Sequence, residues 1–188
     1  MHAATVRLRS VSPYSQSRFH NTPALDKEGK DDYEKRTWQN RLHVSEDGNV
    51  FIPPMAFKNC LSECAKFISI QIPGKGKATY TKHFEAGVMV MEPSALSIKA
   101  QDVPGEWYHV PSDGQRGGSK RVLKCFPAIA SWETNVKFYV LDDTITKDVF
   151  EKHLSQAGQF IGVGRFRPRN NGFYGRFEIV NLKWEEVS

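Results

Sequence analysis

Apolar and polar positions alternate from the start of the chain. In ATVRLRSVS, residues 4–12, Val6, Leu8 and Ser10 alternate with Arg7, Arg9 and Val11, the pattern of a half-buried strand. From Pro13 to Gly48 the pattern is lost. LDKEGKDDYEKRTWQNRLHVSEDGN mixes both charge signs without a period and reads either as a long loop or as a short amphipathic helix around Tyr33–Leu42. Loops of that length in a compact domain usually carry function. NVFIPPMAFKNCLSECAKFISIQ then predicts a short strand, a Pro-Pro break and a helix of about four turns. Proline suits a first helical turn, where its missing N–H costs nothing. Phe57, Leu61, Cys64, Ala65 and Ile68 form its apolar stripe, opposite Lys58, Asn59, Ser62, Glu63 and Lys66.

Residues 72–128 show no helical period and read as a β-rich insertion with two basic glycine loops. The pattern then clears. TNVKFYVLDD predicts a strand with Val136, Phe138 and Val140 on one face. TITKDVFEKHLSQAG predicts a helix capped at Thr144 or Thr146 and stopped at Gly158, with Val149, Phe150, His153, Leu154 and Ala157 inside. YGRFEIVNLKW predicts a last strand. The order strand, loop, helix, insertion, strand, helix, strand fits two βαβ halves. That predicts an α+β, ferredoxin-like (RRM-like) sandwich in one domain, residues 1–188, with a polar loop at 12–49.

Composition narrows the class. The 188 residues are 39% hydrophobic and 12% aromatic, enough for a core, and carry a formal charge of +5. The N-terminus shows no signal-peptide core, and no apolar run approaches about 18 residues. The expectation is a cytoplasmic protein without a membrane partner. Three cysteines, Cys60, Cys64 and Cys125, do not make a disulfide framework, and the spacing of Cys60 and Cys64 on one helix reads as core packing rather than a metal site. No cofactor is expected.

No catalytic signature emerges either. The histidines are scattered; His20 and His43 sit in the polar loop, where a general base for RNA cleavage is conceivable but a plain loop role is simpler. Asp26, Asp31 and Asp32 lie in a mixed charge run. Basic residues on glycine loops and strand ends are more telling. Arg18 follows the first strand; Lys75, Lys77 and Lys82 form one cluster; Arg116, Lys120 and Arg121 form a second. Arg165, Arg167, Arg169 and Arg176 form a third, in GVGRFRPRNNGFYGRFEI. Glycine lets backbone N–H groups approach a phosphate, arginine adds bidentate contacts, and Phe166, Phe173, Tyr174, Tyr80 and Trp107 offer rings for unpaired bases. The predicted ligand is single-stranded RNA or DNA. A phosphate-loop motif is absent, so a nucleotide site is not expected.

Two stretches resemble one family. NVFIPPMAFKNCLSECAKF resembles the segment that opens the first helix of RAMP proteins (repeat-associated mysterious proteins of CRISPR systems), and GVGRFRPRNNGFYGRFEI resembles their C-terminal glycine-rich loop. The helix-opening segment is most similar to that of the backbone subunit of CRISPR effector complexes, without its usual Gly-Ser-Ser run. The resemblance implies a non-catalytic, RNA-binding protein of antiviral defence that self-associates or joins other CRISPR-type subunits. It implies backbone contacts from Lys58, Arg165, Arg167, Arg169, Gly172, Gly175 and Arg176. The alternatives are a RAMP-type endoribonuclease using His20 or a loop aspartate, and a stand-alone viral single-strand binder or CRISPR mimic.

Overall fold

The computed structural model describes residues 1–115 and 117–187; the candidate Arg116 lies outside them. In chain order the elements are β1 (His2–Ser10), β2 (Tyr14–Ser15), α1 (Lys30–Thr37), β3 (Asn49–Ile52), α2 (Pro54–Ile68) and α3 (Thr81–Gly87). They continue with β4 (Val88–Val90), β5 (Ser94–Lys99), β6 (Gly105–Pro111), β7 (Arg121–Ile129), β8 (Glu133–Val140), α4 (Lys147–Gln156) and β9 (Phe177–Glu186).

The alternation of the first residues places β1 in the middle of the main sheet. It pairs antiparallel with β8 on one side and β9 on the other, and β4 completes the order β4-β8-β1-β9. Val6 and Leu8 are fully buried beneath the helices with Val136, Phe138, Phe57, Leu61, Phe150 and Leu154. Arg7 and Arg9 point the other way and pair across strands with Glu133 and Glu178. Helix α2 joins β1 to β4, and α4 joins β8 to β9. Two smaller sheets, β2-β7-β6 and β3-β5, complete the α+β architecture.

Both long helices follow their predicted stripes. Helix α2 buries Phe57, Cys60, Leu61, Cys64 and Ala65, starts on Pro54 and ends at Ser69, whose φ is 45°. Helix α4 is capped by Thr146, whose side chain accepts from the Val149 N–H at 3.4 Å. It does not stop at Gly158. The chain continues through a wider turn, Ala157–Ile161, to Gly162 at φ 71°. Gly158 is required instead by close packing, since a Cβ there would overlap the Phe177 carbonyl.

One further expectation needs correction. The middle of the chain contains a helix, α3, and a strand of the main sheet, β4. With seven residues, α3 buries only Phe84 and Gly87, too few positions to show a period. In the polar segment 12–49, the helical alternative around Tyr33–Leu42 has its counterpart in α1 and the helical turn Trp38–Arg41, and the segment is folded onto the body. Glu34 of α1 is wholly buried and accepts from Arg41 Nη1 at 2.7 Å, Lys124 Nζ at 2.9 Å and the Cys125 N–H at 2.8 Å. That clamp fixes α1 against β7.

Candidate nucleic-acid interface

The glycine loop, residues 162–176, starts from the end of the α4 extension and is pinned along its length. Val163 N–H donates to Gly175 O (3.0 Å), Arg165 N–H to Ser15 O (2.8 Å), and Tyr174 N–H to Phe166 O (2.9 Å). Gly172 N–H donates to Arg167 O, Gly175 N–H to Pro13 O, and Arg176 N–H to Ser12 Oγ. A Cβ on Gly172 would strike the Phe166 carbonyl, and one on Gly175, at φ 79°, the Val163 carbonyl. The N–H groups of Gly172 and Gly175, expected near phosphate, therefore both have partners within the protein. Those groups are spent on Arg167 O and Pro13 O, and the glycines let two chain segments touch.

The side chains then sort by what they meet. Arg165 stacks between Phe126 (3.3 Å to the ring centre) and Phe166 (3.5 Å), with Tyr108 at 5.9 Å. Its Nη1 is buried and has no hydrogen-bond partner among the described residues. Burial pushes the guanidinium down to about 10. Arg167 and Arg169 instead share Glu63, at 2.7 and 3.2 Å, and Arg169 also covers Phe67. Arg176 Nε donates to Gln159 O at 3.2 Å. The three arginines of GRFRPR are thus unequal: Arg167 and Arg169 pair with Glu63, while Arg165 forms no ion pair among the described residues.

Lys58, expected at the nucleic-acid backbone, is engaged within the protein. Its Nζ donates to Ser62 Oγ (2.6 Å) and to the carbonyls of Phe84 (3.0 Å) and Glu85 (2.8 Å), holding the end of α3. Burial lowers its pKa.

Facing Arg165 is a cleft of about 330 Å³, whose walls include Ser17, Arg18, His43, Pro53 and Gly164. Arg18 is exposed. Burial, with Arg18 nearby, lowers the His43 pKa and keeps its ring neutral. Gln16 sets this wall: it accepts from the His43 N–H at 2.7 Å and donates to Phe51 O at 2.7 Å. Beside the cleft the loop presents Phe166 and Phe173, 41% and 58% exposed, enough surface for a base to cover. Tyr174 lies between them, its hydroxyl donating to Glu106 at 2.6 Å, and Tyr108 donates to the same carboxylate. Sequence reasoning missed Glu106, Tyr108, Phe126, Gln16 and Glu63. Only the two-residue spacing of Glu106 and Tyr108 on one strand face hinted at a shared role.

The other predicted residues lie elsewhere. Lys75 and Lys77 sit in the exposed turn between Ile72 and Thr79, and Lys82 on α3. Lys120 and Arg121 line a separate groove of about 720 Å³ between α1 and the β6–β7 hairpin. His20 stacks on Tyr33 at 6.4 Å; Asp32 pairs with Lys35, and Asp31 lines the hairpin groove. No cluster of three or more metal-ligating side chains occurs among the described residues, and no helix there is long and apolar enough to cross a membrane.

No protein-family model matches the sequence, and no curated protein sequence does. Solved structures do. The chain is similar to the crystal structure of Cmr6 from Pyrococcus furiosus, with a TM-score of 0.51 at 12% identity over 95% of this chain and 99% of that one. A chain of a CRISPR RNA-guided surveillance complex aligns at TM-score 0.37 and 8% identity over 93% and 66% of the two chains, too loosely to argue from. The chain thus shares the fold of Cmr6 over nearly its whole length.

Proposed function

We propose that this chain is a RAMP-type subunit that binds single-stranded nucleic acid, RNA foremost, without cleaving it, and that works beside other CRISPR-type subunits. The sheet order with crossovers α2 and α4 supports a ferredoxin-like frame of two βαβ halves. The observation that carries the reading is the guanidinium of Arg165, in no ion pair among the described residues and held between two rings, beside Arg18 and the exposed Phe166 and Phe173. A phosphate in the cleft meets Arg18 and Arg165, and adjoining bases stack on the loop rings. Because the loop is pinned by hydrogen bonds within itself and to Ser12, Pro13 and Ser15, little ordering entropy is lost on binding.

The test is fluorescence anisotropy on RNA, single-stranded DNA and duplex of equal length across a salt series. Arg18→Ala with Arg165→Met weakens binding about tenfold for all sequences alike and lowers the salt slope by about 0.7 per lost phosphate contact. Arg167→Ala, whose partner is Glu63, has little effect. Unchanged affinity in the Arg18/Arg165 variant overturns the proposal. Cleavage of the RNA in the same incubations, abolished by His43→Ala, would replace it with a nuclease.

A further inference from the structure

We infer that the free edge of β9 is a self-pairing surface along which two copies of this chain join, edge to edge, around a two-fold axis. Strand β9 ends the main sheet and has ten residues, with no strand on its outer side among the described residues. Beside that edge runs a groove of about 560 Å³ between Glu178–Leu182 and the α4 side chains Lys147, Glu151 and Ser155. Val180, 42% exposed, opens into it. A long unpaired edge is a template for another strand.

The strand itself identifies that partner. Set antiparallel to a second copy with Val180 and Asn181 at the axis, Arg176 meets Glu185, Glu178 meets Lys183, Phe177 meets Trp184 and Ile179 meets Leu182. Symmetry repeats each contact, which gives the joint opposite charges wherever charges meet. The neighbouring registers fail. A shift of two residues one way opposes Glu178 to Glu185, and two the other way opposes Arg176 to Lys183.

Facing also agrees. In a regular strand, Glu178 and Lys183 would project to opposite sides. Here Asn181 lies opposite Arg7 and Ile179 opposite Leu8, so Val180 is an extra residue that reverses the alternation. Phe177, Ile179, Leu182 and Trp184 are the more buried positions of β9, and Glu178, Lys183 and Glu185 the exposed ones. Partners in the joint therefore share a face. The bulge at the axis divides the joint into two ladders of four residue pairs each. In the single chain Glu178 pairs with Arg9 and Lys183 with Glu185. Such exposed pairs exchange at little cost.

The test is sedimentation of the nucleic-acid-free full chain across micromolar concentrations, so its outcome does not depend on the RNA reading. A dimer is expected. Lys183→Glu, which opposes two glutamates on each side of the axis, weakens it about tenfold, as does Glu178→Lys. The double variant Glu178→Lys with Lys183→Glu restores it. As a second measurement, Asn181→Cys beside the axis forms a disulfide-linked dimer. A monomer at every concentration, a dimer indifferent to the single changes, or a double variant no better than the singles overturns the proposal.

Discussion

Replacing Glu34 with glutamine tests how α1 is held. The carboxylate is wholly buried and accepts from four donors: two guanidinium nitrogens of Arg41 (2.7 and 3.1 Å), Lys124 Nζ and the Cys125 N–H. Burial alone would raise its pKa; the N–H of Cys125, then Lys124 and Arg41, outweigh burial and hold it below the usual carboxylate value. Glutamine keeps the volume but turns one acceptor into an NH₂ aimed at donors, and leaves Arg41 without a counter-charge. Removing one partner of a buried ion pair costs about 3–5 kcal/mol. With a urea slope of about 2–3 kcal/mol/M, the unfolding midpoint at pH 7 falls by about 1–2 M. The sign with pH follows. A group whose folded pKa is depressed stabilises above its unfolded pKa and loses that contribution as pH falls through the folded value, so wild type and variant converge in acid. Arg41→Met in the Glu34→Gln background costs little more, because the stranded charge is gone. A midpoint shift of a few tenths of molar, or strict additivity of the two changes, would refute the reasoning.

Lys58→Met removes two hydrogen bonds to the carbonyls of α3 and one to Ser62 on α2, and lowers stability by about 1–2 kcal/mol, seen as a drop of several degrees in thermal unfolding, while nucleic-acid affinity stays at the wild-type level. His153 is fully buried, stacked on Phe84 at 4.3 Å, its Nδ1–H donating to Val149 O; burial lowers its pKa and keeps it neutral. The unfolded chain takes up that proton near pH 6.5 and the folded chain does not, so stability declines as pH falls below about 6.5. Thermal melts at pH 7.5 and 5.5 should show a shallower decline in His153→Leu.

What the sequence revealed follows from which faces are buried. Strands β1 and β8 and helices α2 and α4 each show one face to the core, so period and burial agree. Helix α1 has no apolar stripe. Its fixing residue is a glutamate, whose partners Lys124 and Cys125 lie 90 and 91 residues away. The same distance problem governs the site. Arg165, Arg167 and Arg169 look alike in the sequence, yet Glu63, 104 residues from Arg167, neutralises two of them. The glycines signalled a tight loop correctly, but whether their N–H groups face a ligand or the chain depends on Pro13, Ser15 and Val163, which no local pattern connects to them.

The buried cysteines have a practical consequence. Cys60 and Cys64 lie within α2, while Cys125 sits under the Glu34 clamp. Burial pushes all three thiols up, Cys64 to about 12 and Cys125 to about 11, so their thiolates are scarce while the fold is closed. The chain thus carries its own silent reporters. Alkylation of Cys125 reads the lifting of α1 from the hairpin, and alkylation of Cys60 and Cys64 reads the opening of the core. The two rates, followed by mass spectrometry, separate a local detachment from global unfolding without any added label.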